Sequence, residues 1–395
     1  MKYRISGGNL ILHGTVEAAD LLIRDGVIDG IVARDAAVSS EYRTVACDGY
    51  YVSPGFVDIH QHGGGGSDYM DRDPDAFFRA TEAHLRGGTT ACLPTLLSSS
   101  GDALRDAIER YKAATKDGRI RAHLLGLHVE GPYISPLQAG AQKPEHIRAF
   151  DREEYLSLFE ASEGLIRRWS VAPEVDGAEE FAAFARQNGI TLSIAHSNAD
   201  FDTVCRAYEW GFHHVTHFYS CISTITRRDG FRIPGILEAA YFLDGMNVEV
   251  IADGCHLPRT LLAYVAKFKS HDRIALVTDA MRAAGEDVTE SFLGGVDDPL
   301  PVRVEDGVAK LWDRSAFAGS VATADRLVRT MTESGVPLVD AVAMMTRVPI
   351  ETMGLSVKKG VLAEGYDADL CVFDERIGIK KVICGGEIVF LLPNQ

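Results

Sequence analysis

Six side chains able to bind a cation each sit at, or just past, the end of a short apolar run. Val57-Asp58-Ile59 leads into His60 and His62, and Leu124-Leu125-Gly126-Leu127-His128-Val129 leads into Glu130. Leu192-Ser193-Ile194-Ala195 ends at His196, Val215-Thr216 at His217, and Ile274-Ala275-Leu276-Val277-Thr278 at Asp279. In extended backbone, side chains two apart share a side, so His60 and His62 can grip one ion. The pair alone is a weak pattern, but four glycines (Gly63 to Gly66) follow it and allow close backbone approach to a ligand. Glu130 precedes Gly131-Pro132, so its strand must turn there, and its two oxygens can bridge two cations. A buried Asp279 would be costly without a partner, which a cation supplies. Isolated histidines after apolar runs are usually core groups; His196 and His217 together, beside these carboxylates, point to a metal centre instead. A His/Glu/Asp set without Cys suits Zn2+, with Fe2+ or Mn2+ as the other borderline ions.

Apolar runs of this length, separated by helical patterns, are the signature of buried parallel strands. Eight are expected, near residues 55–59, 89–95, 123–129, 168–172, 191–195, 213–216, 247–251 and 274–278. Helical stretches intervene, such as Asp75 to Arg86 closed by Gly87-Gly88 and Ala178 to Asn188 closed by Gly189. Eight strand–helix repeats predict an α/β fold, a (β/α)8 TIM-like barrel whose chemistry lies at the carboxyl ends of the strands. The segment 286–316 is too long and too rich in Gly, Asp and Pro for a simple loop, and predicts a β-hairpin excursion before a helix near Thr323. Both ends of the chain read as strands and turns, among them Leu10–Leu12, Leu21–Ile23, Gly360–Leu362, Asp369–Phe373 and a hairpin through Gly385-Gly386. The expected arrangement is a small β-sandwich domain from 1–54 and 359–395 beside a catalytic barrel over 55–358.

A net charge of −16, from 40 basic and 56 acidic residues, argues against nucleic acid or an anionic membrane surface as partner. A small anionic substrate stays compatible, because a few local arginines reverse the sign inside a pocket. No run of 18 apolar residues and no signal-type stretch is present. The seven cysteines form no CxxC pair and are odd in number, which fits reduced thiols and a cytoplasmic location.

Several segments resemble the amidohydrolase superfamily and, within it, the N-acetylglucosamine-6-phosphate deacetylases. They are Pro54-Gly55-Phe56-Val57-Asp58-Ile59-His60, His128-Val129-Glu130-Gly131-Pro132, Ala195-His196-Ser197-Asn198-Ala199, Thr216-His217-Phe218-Tyr219, Ile251-Ala252-Asp253-Gly254-Cys255-His256, Val277-Thr278-Asp279-Ala280 and Ala318-Gly319-Ser320. The resemblance covers almost the whole chain. It implies a metal-dependent hydrolase that removes acetate from N-acetylglucosamine 6-phosphate, leaving glucosamine 6-phosphate. Many relatives carry a carbamylated lysine on the fourth strand; Arg168-Trp169-Ser170-Val171-Ala172-Pro173 has none, leaving Glu130 as the bridging or central ligand.

The resemblance further implies that Glu130, His196 and His217 hold the principal ion, and that His60, His62 and Asp279 hold a second. Asp279 would shuttle the proton and His256 would contact the substrate carbonyl. Substrate contacts are expected from Ala141, Gln142, Ser220, Cys221, Arg228, His256, Phe317, Ala318 and Gly319. Gly140-Ala141-Gln142 departs from the family's Gly-Ala-His, and Ser220-Cys221 from its Asn-Ala. Arg228, beside Arg227, lies near the family's phosphate-binding arginine, implying a homodimer in which it reaches the neighbouring active site. The alternatives are a deacetylase of another N-acyl amino sugar (N-acetylgalactosamine 6-phosphate or an unphosphorylated sugar), another amidohydrolase, or a non-enzymatic scaffold. The missing lysine argues against a cyclic-amide hydrolase, and the retained Glu130, His196, His217 and Asp279 argue against a scaffold.

Overall fold

In a computed structural model, residues 1–392 of the chain are described. Eight parallel strands form the barrel: Phe56–Gln61, Thr89–Leu96, Leu127–Glu130, Ile166–Val171, Thr191–Ile194, Phe212–Val215, Asn247–Val250 and Ile274–Leu276. Each pairs with the next in chain order. The ring closes at the mouth, where the Asp279 amide donates to the His60 carbonyl (2.8 Å) and the His62 amide to that of Ala280 (2.8 Å). Below them, the Asp58 carboxylate accepts from the Thr278 hydroxyl at 2.5 Å, so first and eighth strands are joined by a side chain as well. Burial pushes the Asp58 carboxyl up to about 7.

The strands are apolar because both their faces are covered. Outside, Trp169, Tyr133, Phe181, Phe150 and Tyr155 stack in one aromatic cluster. The short helix Arg347–Thr352 packs Val348 and Ile350 with Val57, Ile59, Leu93 and Val277.

Four expectations are refined. The third run breaks at Gly126, whose φ of +137° leaves His123–Leu124 as a separate short strand before Leu127. A Cβ there would meet the Arg167 side chain at 2.2 Å, so only glycine lets the strand re-enter the barrel. The first helix runs Ala76–Arg86, but Gly88 rather than Gly87 takes positive φ, at +94°. Gly360–Leu362 is not a strand: Gly360 turns at φ +82° tight against the Thr346–Arg347 backbone.

The excursion after the eighth strand is larger than a hairpin. Glu290–Leu293, Leu300–Glu305, Val308–Leu311 and Phe317–Ser320 form a four-stranded antiparallel sheet. Its last strand returns to the mouth, where the Ser320 amide donates to the Asp279 carbonyl at 2.8 Å. The helix Ala324–Glu333 then begins after Thr323.

Strands from both ends of the chain lie in one further nine-stranded sheet, with Leu370–Phe373 antiparallel to Tyr51–Pro54. Ile5, Leu10, Leu21, Ile23, Val52, Leu370 and Val372 give it a core separate from that of the barrel. Among the described residues, no helix is long and apolar enough to cross a membrane.

Candidate metal centre

All six sequence-predicted ligands meet at the carboxyl ends of the strands, buried, in two groups: His60, His62 and Asp279, and Glu130, His196 and His217. Glu130 is the last residue of the third strand, and His60 lies within the first. His62, His196, His217 and Asp279 stand just beyond strand ends. The last three of these hold left-handed backbone, with φ of +45°, +30° and +45°. A non-glycine residue there costs about 1 kcal/mol or more, which persists where surrounding contacts force it and is common at functional sites.

The histidine rings are oriented from behind. His62 Nδ1 faces the Thr95 carbonyl (3.3 Å), His196 Nδ1 that of Gln138 (2.7 Å) and His217 Nδ1 that of Ser220 (3.1 Å). His60 Nδ1 faces Oε2 of Glu249 at 3.2 Å. Each acceptor fixes the proton on Nδ1 and turns the Nε2 lone pair inward.

The inward atoms are spaced for coordination. In the first group, His60 Nε2 lies 3.3 Å from His62 Nε2, and Asp279 Oδ1 lies 3.4 and 3.2 Å from the two. In the second, Glu130 Oε1 lies 3.4 Å from His196 Nε2 and 3.0 Å from His217 Nε2, which are 3.2 Å apart. Ligand atoms about 2.0 Å from a tetrahedral ion stand roughly 3.3 Å from one another. Opposed lone pairs at this spacing repel unless a proton or a metal cation lies between them. The residues therefore fit divalent metal, in one or two positions.

Electrostatics agrees. Burial would raise Glu130, but His60, His196, His217 and His62 outweigh it and hold the carboxyl well below its usual range. Burial likewise opposes ionisation of Asp279, yet His60 and His62 bring it down to about 2. Burial lowers the His60 ring to about 3, against the opposing pull of Asp279 and Glu130. For His62, burial is outweighed by Asp279 and Glu130, which raise it to about 10: the two buried carboxylates demand positive charge here.

Beside the centre lies a cavity of about 170 Å³, walled in part by Ala141, Gln142, Ser220, Cys221, His256, Phe317 and Gly319. Gly319 takes φ +78°, and a Cβ on it would meet the Asp279 carbonyl at 2.8 Å. Both ends of the Gln142 amide are engaged, one with the Ser98 amide (3.1 Å) and one with Glu130 Oε2 (2.9 Å). Two expected contacts lie elsewhere. Ala318 is fully buried in a small core with Met281, Leu293, Val302 and Ala309, because the strand alternates and turns it away from the cavity. Arg228 is exposed on a two-stranded hairpin, Thr226–Arg228 with Phe231–Ile233, and does not line this chain's cavity.

Three functional groups were missed in the sequence. Asp253 accepts from the backbone amides of Cys255 and His256 and faces His256 Nδ1 at 2.9 Å, so it aims that ring. Arg168 and Glu249, both fully buried, form an ion pair inside the barrel directly behind His60. The available signal was one charged residue inside each of two runs that must be buried on both faces, since such charges occur in pairs.

A parallel barrel whose mouth gathers four imidazoles and two carboxylates is the architecture of a metal-dependent hydrolase. The chain belongs to the amidohydrolase family, whose match spans residues 51–389. It is 33% identical over 345 residues to the N-acetylglucosamine-6-phosphate deacetylase of Bacillus subtilis, covering 86% of this chain and 84% of that one. It is 31% identical over 389 residues to the N-acetylgalactosamine-6-phosphate deacetylase of Shewanella, covering 98% and 94%. The structure of a mutant of the N-acetyl-D-glucosamine-6-phosphate deacetylase of Mycobacterium smegmatis, in complex with N-acetyl-D-glucosamine-6-phosphate, superposes with a TM-score of 0.88 at 28% identity, covering 98% of this chain and 99% of that one.

Proposed function

We propose that the chain hydrolyses the acetamide of N-acetylglucosamine 6-phosphate to glucosamine 6-phosphate and acetate, using one or two divalent ions, with Zn2+ favoured over Fe2+ or Mn2+. The observation that carries this reading is the convergence of four Nε2 lone pairs and two carboxylates beside a sugar-sized opening. Glu130, His196 and His217 would hold the principal ion, and His60, His62 and Asp279 the second. Metal there supplies water activation and carbonyl polarisation.

The protein's own groups move the protons. Asp279, ionised at neutral pH, accepts the proton as water attacks the acetamide carbon. It then delivers that proton to the sugar nitrogen, because an amine cannot leave as an anion. His256, whose ring the Asp253 carboxylate aims from Nδ1, lines the cavity and would contact the substrate carbonyl as charge develops on its oxygen. Gln142, Ser220, Cys221, Ala141, Phe317 and Gly319 would shape the sugar pocket.

Chelation should abolish deacetylation, and Zn2+ or a related divalent ion should restore it; full activity in metal-stripped protein would overturn the reading.

A second reading, deacetylation of N-acetylgalactosamine 6-phosphate, is favoured by the comparable identity to a deacetylase of that sugar. The two differ at one hydroxyl, so the ratio of kcat/KM for the two phosphorylated epimers decides between them. We expect the gluco epimer to be preferred at least tenfold, roughly the discrimination of 1.4 kcal/mol. A reversed ratio would assign the galacto epimer.

We further propose a cytoplasmic homodimer. The free state of all seven cysteines supports the location. An exposed hairpin presenting Arg227, Arg228 and Phe231 away from its own cavity supports a phosphate contact made across the dimer. The separate cores support division into a small β domain, 1–54 with 359–395, and a barrel over 55–358.

A further inference from the structure

Glu130 faces both halves of the centre. Its Oε1 points to His196 and His217 and lies 3.7 Å from His60 Nε2, while Oε2 lies 3.4 Å from His62 Nε2. One carboxylate can therefore serve both positions, provided Oε2 stays turned toward His62. The terminal torsion of a glutamate is broad and two-fold, so nothing within the side chain itself enforces this.

Gln142 does. It is 6% exposed, and its Oε1 accepts from the Ser98 backbone amide at 3.1 Å, which settles which end of the amide is which. The other end, Nε2, must then donate, and it does so to Glu130 Oε2 at 2.9 Å. Ser98 closes the clamp by donating its hydroxyl to the Glu130 carbonyl at 3.3 Å. A carboxylate oxygen offers about two lone-pair sites, so one remains for an ion after Gln142 takes the other.

We propose that Gln142 is a positioning residue: by pinning Glu130 Oε2 toward His62, it makes one carboxylate span both groups and so governs whether the His60–His62–Asp279 position fills. This rests on the metal-dependent reading above. It assigns Gln142 to metal loading first and to sugar recognition second.

The test uses full-length protein stripped with a chelator and retitrated with Mn2+. Gln142→Met keeps the length and loses the donor, and Gln142→Leu is a second variant of similar bulk. Outer partners of metal ligands alter affinity about 10- to 100-fold, so the weaker Mn2+ site should lose at least tenfold while the tighter site changes less than about threefold. The exchange-coupled two-Mn2+ signal in paramagnetic resonance should fade at equal metal concentration. With metal saturating, KM for the sugar phosphate should rise by a smaller factor than the weaker site's Mn2+ dissociation constant, because Gln142 also borders the sugar cavity. Two unchanged affinities with an intact coupled signal, or a tenfold rise in KM at unchanged metal binding, would overturn the assignment while leaving the deacetylase reading in place. Wild-type protein that binds no ion would remove both.

Discussion

Asp279→Asn should lower turnover by about 10²-fold or more, the scale of losing a positioned acid–base group, while the protein stays folded and keeps the ion of Glu130, His196 and His217. The fold should survive for a specific reason. Asp279 sits at φ +45°, and asparagine tolerates that left-handed backbone better than other side chains apart from glycine. Its backbone bonds to His60 and Ser320, which close the barrel mouth, do not involve the carboxylate. The amide oxygen can still approach His60 and His62 Nε2, now 3.4 and 3.2 Å from Oδ1. What the amide cannot do is take a proton from water and return it to the leaving amine. The decisive measurement is turnover at matched metal content, determined by elemental analysis of the same samples. A near-normal rate would mean that another group carries the proton.

Most of this centre could be seen in the chain because barrel chemistry is tied to strand ends. A short apolar run has a detectable end, and a His, Glu or Asp placed there is visible without coordinates. His60, Glu130, His196, His217 and Asp279 were all legible in that way. The contacts that aim them were not. The carbonyls of Thr95, Gln138 and Ser220 belong to backbone, which carries no residue-type signal. Gln142 was legible as a wall of the sugar pocket, which it lines, but its bond to Glu130 was not, because position along a loop does not reveal which way an amide points. Ala318 failed for a related reason: a one-residue step in a strand moves a side chain from cavity to core. The break at Gly126 and the irregular path at Gly360 were hidden too, since both depend on a tight approach to backbone or side chain far away in sequence.

Glu249→Gln should destabilise the protein by about 3–5 kcal/mol, the cost of leaving a buried charge without its partner. Arg168 is fully buried, and although burial draws its guanidinium down to about 9 it stays protonated at neutral pH. Its neutral partners are the Ser193 hydroxyl (2.9 Å), the Thr216 hydroxyl (3.0 Å) and the Ile59 carbonyl (3.4 Å); among the described residues, Glu249 supplies the only carboxylate paired with it. Glu249 Oε2 also accepts from His60 Nδ1 and from the His217 amide (3.4 Å), so the same carboxylate reaches both halves of the metal centre. Unfolding should be followed in chelator, which removes the separate contribution of bound metal. The double variant Arg168→Met/Glu249→Leu should regain most of the loss, since removing both charges of a buried pair is far milder than removing one. It should not regain metal affinity, because His60 would still lack the acceptor that fixes its tautomer. A single Glu249→Gln variant within about 1 kcal/mol of wild type would show that the two hydroxyls and the Ile59 carbonyl satisfy Arg168 without a counter-charge. The barrel interior would then be holding Glu249 for the metal centre alone.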